Sequence, residues 1–210
     1  MFVLVGPSLA ALALGLLSGG SFRGLARTIA GWPVVVVGIA IEWLLAKNLY
    51  PDSAWLANWG HWAWALSLAA MLPVLLVNAR RTDGLGRVPW LIASLGLTLN
   101  LTVIFTNGGY MPVELKAIEE THQTESLANP TRFRRDVLIN ADTLLPLLSD
   151  ILPEPAFLPS PKVLSVGDVL VSTGLASWIF WAVRARRVRP SDDFAPQSGV
   201  LGRDSQPRLA

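Results

Sequence analysis

The chain has 210 residues, of which 52% are hydrophobic and 15% charged, with a formal net charge of +2. A soluble domain carries about a quarter charged residues, so this chain has too few to cover a water-facing surface, and its mean hydropathy is +0.46. The lack of cysteine excludes disulfides, thiolate metal sites and cysteine nucleophiles. Two histidines, His61 and His122, leave little for a metal or haem site.

A hydrocarbon core about 30 Å thick takes about 20 apolar residues per helix. Five segments approach that length: about 2–19, 29–46, 61–77, 88–106 and 163–183. The expected fold class is all-α, a polytopic membrane bundle of five transmembrane helices. Residues 1–106 then hold helices one to four and 107–162 form an extracytoplasmic cap. Residues 163–189 hold helix five with a basic stop-transfer cluster, and 190–210 are a polar tail expected to be disordered. The first apolar run has no Lys or Arg before it, which argues against a cleaved signal peptide. Pro33 and Pro73 fall inside the second and third segments, and Pro73 should kink its helix near Ala69.

Loop charge sets orientation. The link after segment one carries Arg23 and Arg27, and that after segment three carries Arg80, Arg81 and Arg87. Segment five is followed by Arg184, Arg186, Arg187 and Arg189, whereas the link after segment two has only Lys47 and Asp52. Basic links belong inside, so the N-terminus is expected outside and the C-terminus in the cytoplasm. The small basic excess is thus topological and implies no nucleic-acid partner. Tryptophan and tyrosine favour the headgroup level. Trp32, Trp90 and Trp181 fall at expected inner ends, and Trp43, Tyr50, Trp55, Trp59, Trp62 and Tyr110 at or beyond outer ends.

The link 107–162 holds eight acids: Glu114, Glu119, Glu120, Glu125, Asp136, Asp142, Asp150 and Glu154. Pro112 followed by acids predicts a short helix over 112–127. Phe133, Val137, Ala141, Leu144 and Leu148 keep helical spacing after Arg132, Arg134 and Arg135. That pattern fits a helix lying on the membrane and equally a lid over the bundle. If it is a lid, Phe133, Val137, Leu144 and Leu148 should be shielded and Glu119 and Glu120 exposed. The proline-rich run 152–161 should be extended.

Glu42 and Asp168 each lie in an otherwise apolar span, where an acid is costly and marks a functional hypothesis. Each is expected roughly 7–8 Å below the outer end of its helix. Together with Asn107 they are the candidate lining of one outward-opening polar cavity. Ser165, Asp168 and Ser172 fall one turn apart on segment five, and Asn100 shares a face with Gly96 and Asn107 on segment four. Gly31, Gly38 and Glu42 share a face on segment two, and Ala11, Gly15 and Gly19 one on segment one. Such stripes let helices approach and bond across, so Ser165, Ser172 and Asn100 also read as interhelical glue. The pair Gly108-Gly109 suits helix termination. No catalytic residue, metal ligand or cofactor motif is assigned.

The stretch 107–112, the acidic loop with Asp142 and Asp150, and Ser165-Val166-Gly167-Asp168 opening a final span resemble a bacterial family of small multi-pass membrane proteins. That family is catalogued only as a domain of unknown function. The resemblance implies a bacterial inner-membrane location and no activity. The expected role is a non-catalytic accessory, assembly or sensing component. Its partners would be the bilayer and another membrane protein or small ligand at the outer face. The alternative is a small transporter or a cation or proton permeation module using Glu42 and Asp168. An intramembrane enzyme is the weakest reading, because two carboxylates alone specify no reaction.

Overall fold

The computed structural model describes residues 2–22, 25, 29–46, 54–123 and 135–184. Arg23, Arg27, Lys47, Tyr50, Asp52, Glu125, Phe133, Arg132, Arg134, the arginines after Arg184 and the tail lie outside the described residues.

All five apolar segments are helical. They form α1 (Phe2–Leu17), α2 (Trp32–Ala46), α3 (Ala54–Ala69) continued by α4 (Met71–Arg81), α5 (Val88–Thr106) and α7 (Val166–Arg184). Among the described residues, three stretches are long and apolar enough to cross a membrane: Asn58–Arg81, Gly84–Thr106 and Val166–Arg184. Val5–Leu17 and Trp32–Leu45 are shorter apolar helices. The break at Ala70 falls where Pro73 cannot donate to the Ala69 carbonyl, the interruption expected from the sequence. Pro33, in contrast, sits in the first turn of α2, where a proline costs nothing.

Packing fixes the relative directions of the helices. Along α5 and α7, Trp90 meets Trp178 with ring centroids 5.1 Å apart, and Asn100 bonds Asp168. These two helices are therefore antiparallel. The C-terminal end of α1 meets that of α7, where Ser21 donates to the Val183 carbonyl at 2.9 Å. The Asn78 amide accepts from the Ala30 N–H and donates to the Ala30 carbonyl, tying the start of α2 to the end of α4. Arg81, Arg87 and Arg184 thus collect at one end of the bundle. Residues 107–123 and 135–165 lie towards the other.

The expected stripes meet neighbours in part, and Gly19 lies past the end of α1 with nothing within 4 Å of its missing Cβ. Gly15 lies against Val183, Gly31 against Val74 and Gly38 against Met71. Outward faces stay apolar: Leu9, Val36, Val37, Ile39, Leu66 and Leu95 are all exposed. That much contiguous apolar surface is a liability in water and an asset in lipid. Trp32, Trp43, Trp55, Trp59 and Trp181 are also exposed, as interfacial rings would be. Trp90 is the exception, buried against Trp178 rather than placed on the surface.

The cap differs from the expected pair of helices. Strand β1 (Met111–Val113) precedes α6 (Leu115–Glu120), so Pro112 lies in a strand, and the helix is shorter than 112–127. In place of a helix through 137–148 there is β2 (Asp136–Leu138), parallel to β1, then a turn and a short 3-10 segment, Pro146–Leu148. Two local features explain this. The Asn140 side chain accepts from the Asp142 N–H at 2.9 Å, an Asx turn that competes with helix. Pro146 would cost about 3 kcal/mol in a helix interior, and it also keeps its predecessor out of the right-handed helical region. Leu145 takes the left-handed region instead, with φ 57°. Strands β3 (Leu152–Pro153) and β4 (Val163–Leu164) pair antiparallel around the proline-rich loop.

The core nearest the cap comprises Leu45, Trp64, Ala65, Val103, Ile104 and Met111, with Leu148 packed against it. Leu148 is therefore an anchor, as expected of a lid, and Val137 is partly covered. Leu144 is not shielded, with 54% of its surface exposed. Glu119 and Glu120 are exposed.

Candidate functional site

Helix α7 opens with a reciprocal cap. The Ser165 hydroxyl accepts from the Asp168 N–H at 2.9 Å, and the Asp168 carboxylate accepts from the Ser165 N–H at 3.1 Å. This is the capping-box arrangement, which satisfies two otherwise orphaned helix N–H groups. Because α7 starts at Val166, Asp168 lies in its first turn, not five residues into a span. A carboxylate there also faces the positive end of the helix dipole.

Helix α5 completes the cap. Asn100 donates to Asp168 at 2.8 Å and accepts from the Ser165 hydroxyl at 2.8 Å. Ser165 is fully buried, and Ser172 is buried on the same helix. The close approach needs glycine on both helices: a Cβ on Gly96 would lie 2.5 Å from the Gly167 carbonyl, and one on Gly167 would overlap the Asn100 side chain.

Glu42 has a different partner. The Arg135 guanidinium, at the start of the β2 region, donates to its carboxylate at 2.6 Å. Arg135 also lies 5.6 Å from the Trp64 ring centroid and 3.9 Å from the Asp136 carboxylate. Burial opposes the Arg135 charge, but Asp136, Glu42 and Asp150 outweigh it and raise its pKa above the ordinary value. One guanidinium therefore fastens the cap to both α2 and α3.

Beside this latch, Asp150 is pushed well above the usual carboxylate range. Desolvation is the main cause; Asp168 and Asp136 add to it, and Arg135 opposes it. The Asp150 Oδ1 atom is buried and has no hydrogen-bond partner. Burial also raises Asp136, against the pull of Arg135 and Lys162. Solvent still reaches 44% of the Asp136 side chain and screens that effect.

Asn107 joins neither acid. Its amide donates to the Val103 and Leu144 carbonyls and accepts from the Leu144 N–H at 3.0 Å, clamping the cap to the end of α5. Gly109 reaches back to the Ile104 carbonyl at 2.8 Å with φ 89°, the helix termination expected of Gly108-Gly109. Tyr110 then stacks on His61 at 4.2 Å.

The candidate residues therefore divide among three ties. Asp168, Asn100 and Ser165 form one, Glu42 belongs to the Arg135 latch, and Asn107 clamps Leu144. Glu42 and Asp168 share no hydrogen-bond partner, although both act electrostatically on Asp136. Among the described residues, no three histidine or acidic side chains are placed to hold a metal ion. Sequence reasoning missed Arg135, Asp150 and the capping box. The Ser-x-x-Asp spacing before an apolar run was the available signal for the box, and an acid in an apolar helix signals a counter-ion somewhere.

A double-mutant cycle of Glu42→Gln and Arg135→Gln should show a coupling of about 0.2–1 kcal/mol, because both side chains are about two-fifths exposed. A coupling of zero in unfolding measurements would remove the latch.

Fold and site together define a mostly helical protein with, among the described residues, three helices fit to cross a membrane, and with short strands tied to the helices by polar contacts. The chain belongs to the family described as "Family of unknown function (DUF5317)", whose model matches residues 27–180. No curated protein and no solved structure matches it.

Proposed function

We propose that this is a five-span protein of the bacterial inner membrane, with its N-terminus and cap outside and its C-terminus in the cytoplasm. We assign it a non-catalytic role as an accessory, assembly or sensing component that presents its cap to a partner. The observation that carries this reading is the occupancy of both candidate acids by protein groups: Arg135 on Glu42, and Asn100 and Ser165 on Asp168. Acids so held support architecture rather than turnover. The alternation of helix directions and the gathering of arginines at the end away from the cap support the orientation.

Two measurements test it. Cysteines introduced at 115 and 195 into the cysteine-free chain should react with an impermeant reagent from opposite sides of the membrane. Reaction from the same side contradicts five spans. Crosslinking in native membranes should capture a stoichiometric protein through the exposed Glu119–Glu120 face and lose it in Glu119→Arg/Glu120→Arg.

A proton- or cation-linked reading retains one specific support, the Asp150 Oδ1 atom, which is buried without a hydrogen-bond partner on a carboxyl that Asp168 acts on electrostatically. Flux into proteoliposomes that Asp168→Asn or Asp150→Asn abolishes would favour it over the accessory role.

A further inference from the structure

At the end of the bundle away from the cap, a cavity of about 850 Å³ opens between the close of α4, the start of α5 and the last turns of α7. That volume is in the range of small-molecule sites. Its lining includes four aromatic residues, Trp90, Trp178, Phe180 and Trp181, and two guanidinium groups, Arg81 and Arg184. A single carboxylate, Asp83, opposes them. The Arg184 guanidinium lies 5.3 Å from the Phe180 ring centroid, so its charge is held at the aromatic wall. Asn78 also lines the cavity, but its amide is committed to Ala30 and Val74.

The geometry points to a binding site for one anionic phospholipid, with its phosphate between Arg81 and Arg184 and an acyl chain along Trp90 and Trp178. Arginine offers a planar fork of donors that matches phosphate oxygens. Basic pockets between spanning helices take anionic headgroups, and indole rings favour the same interfacial depth. The aromatic wall has no use for a free phosphate but suits a chain. Charge complementarity therefore selects the headgroup and the apolar wall selects the lipid. The site rests on the membrane reading above and goes beyond it, because a general stop-transfer cluster would show no preference for these two arginines over their neighbours.

The test uses the full chain in nanodiscs of phosphatidylcholine, with or without phosphatidylglycerol, followed by native mass spectrometry of retained lipid. Phosphatidylglycerol should be retained about tenfold over phosphatidylcholine, as expected for a net gain of one to two charge contacts at a surface. Arg81→Gln/Arg184→Gln should reduce the preference to about twofold or less. Arg80→Gln/Arg87→Gln removes the same charge outside the cavity and should leave the preference within about twofold of the native protein. Equal losses in the two double variants would overturn the site, as would a native chain with no preference. The native comparison needs no variant to fold. Displacement of the lipid by inorganic phosphate at about millimolar concentration would reassign the site to free phosphate and overturn the lipid assignment. A chain that fails to enter nanodiscs refutes the membrane reading itself, an outcome distinct from entry without preference.

Discussion

Gly167→Ala should destabilise the folded bundle by about 1–3 kcal/mol, the usual range for overpacking. The sign is not obvious in advance, because alanine in place of glycine inside a helix ordinarily stabilises it by about 0.5–1 kcal/mol. Space decides. The new methyl would overlap the Asn100 side chain and lie 2.6 Å from the Gly96 carbonyl. An amide can rotate away, but a helix carbonyl moves only if α5 and α7 separate. Separation strains the Asn100–Asp168 and Asn100–Ser165 bonds, each worth about 0.6 kcal/mol on average between membrane helices. The same contact continues at Gly174, where a Cβ would meet the Pro89 carbonyl at 2.6 Å. Val169→Ala, on the exposed face of the same helix, is the control and should stay within about 0.5 kcal/mol. Unfolding in mixed detergent micelles measures both, and a Gly167→Ala protein as stable as its parent would contradict the close helix contact.

Asp150→Asn should stabilise the protein at neutral pH and flatten its pH dependence. Burial, with Asp168 and Asp136 nearby, raises the folded-state pKa of Asp150 above its unfolded value. At low pH the carboxyl is protonated in both states and contributes no pH dependence. As pH rises through the ordinary carboxylate range, the unfolded chain releases the proton and the folded chain keeps it. Stability therefore falls with rising pH until the folded carboxyl also ionises. Asparagine has the shape of the protonated acid and no charge to ionise. The gain at neutral pH comes from removing that ionisation alone, because asparagine keeps a polar atom at the position of the unpartnered Oδ1. Near pH 4, where the parent acid is still largely protonated when folded, the two proteins should nearly coincide. Chemical unfolding across that interval checks it. A variant less stable than the parent at both ends, or one with the same slope, would show that Asp150 is satisfied as a carboxylate.

Much of the bundle was legible because its causes are local. Helix α5 runs from Val88 to Thr106, the bounds that hydropathy sets, since Pro89 opens it and Gly108-Gly109 end it. The helical character of the other apolar segments follows from the same rule: backbone polar groups in apolar sequence must bond within their own segment. The stripes Gly15, Gly31 and Gly38 also met neighbours as spacing suggested, because a small residue matters wherever two helices cross.

The cap and the ties were not legible in this way. Helical spacing from Phe133 to Leu148 was real, yet Val137 entered a parallel pair with Pro112, a partner 25 residues earlier in the chain. Arg135 found Glu42 across 93 residues, and Asn100 found Asp168 across 68. Hydropathy and spacing report what a segment can do with its own backbone. The choice of counter-ion for a buried acid depends on which side chains packing brings within about 3 Å. The sequence alone therefore determined apolar helical segments joined by basic links and an acid-rich connection before the last of them. Tertiary structure decided that Asp168 closes a helix cap, that Glu42 receives Arg135, and that the Asp150 Oδ1 atom is left buried without a hydrogen-bond partner.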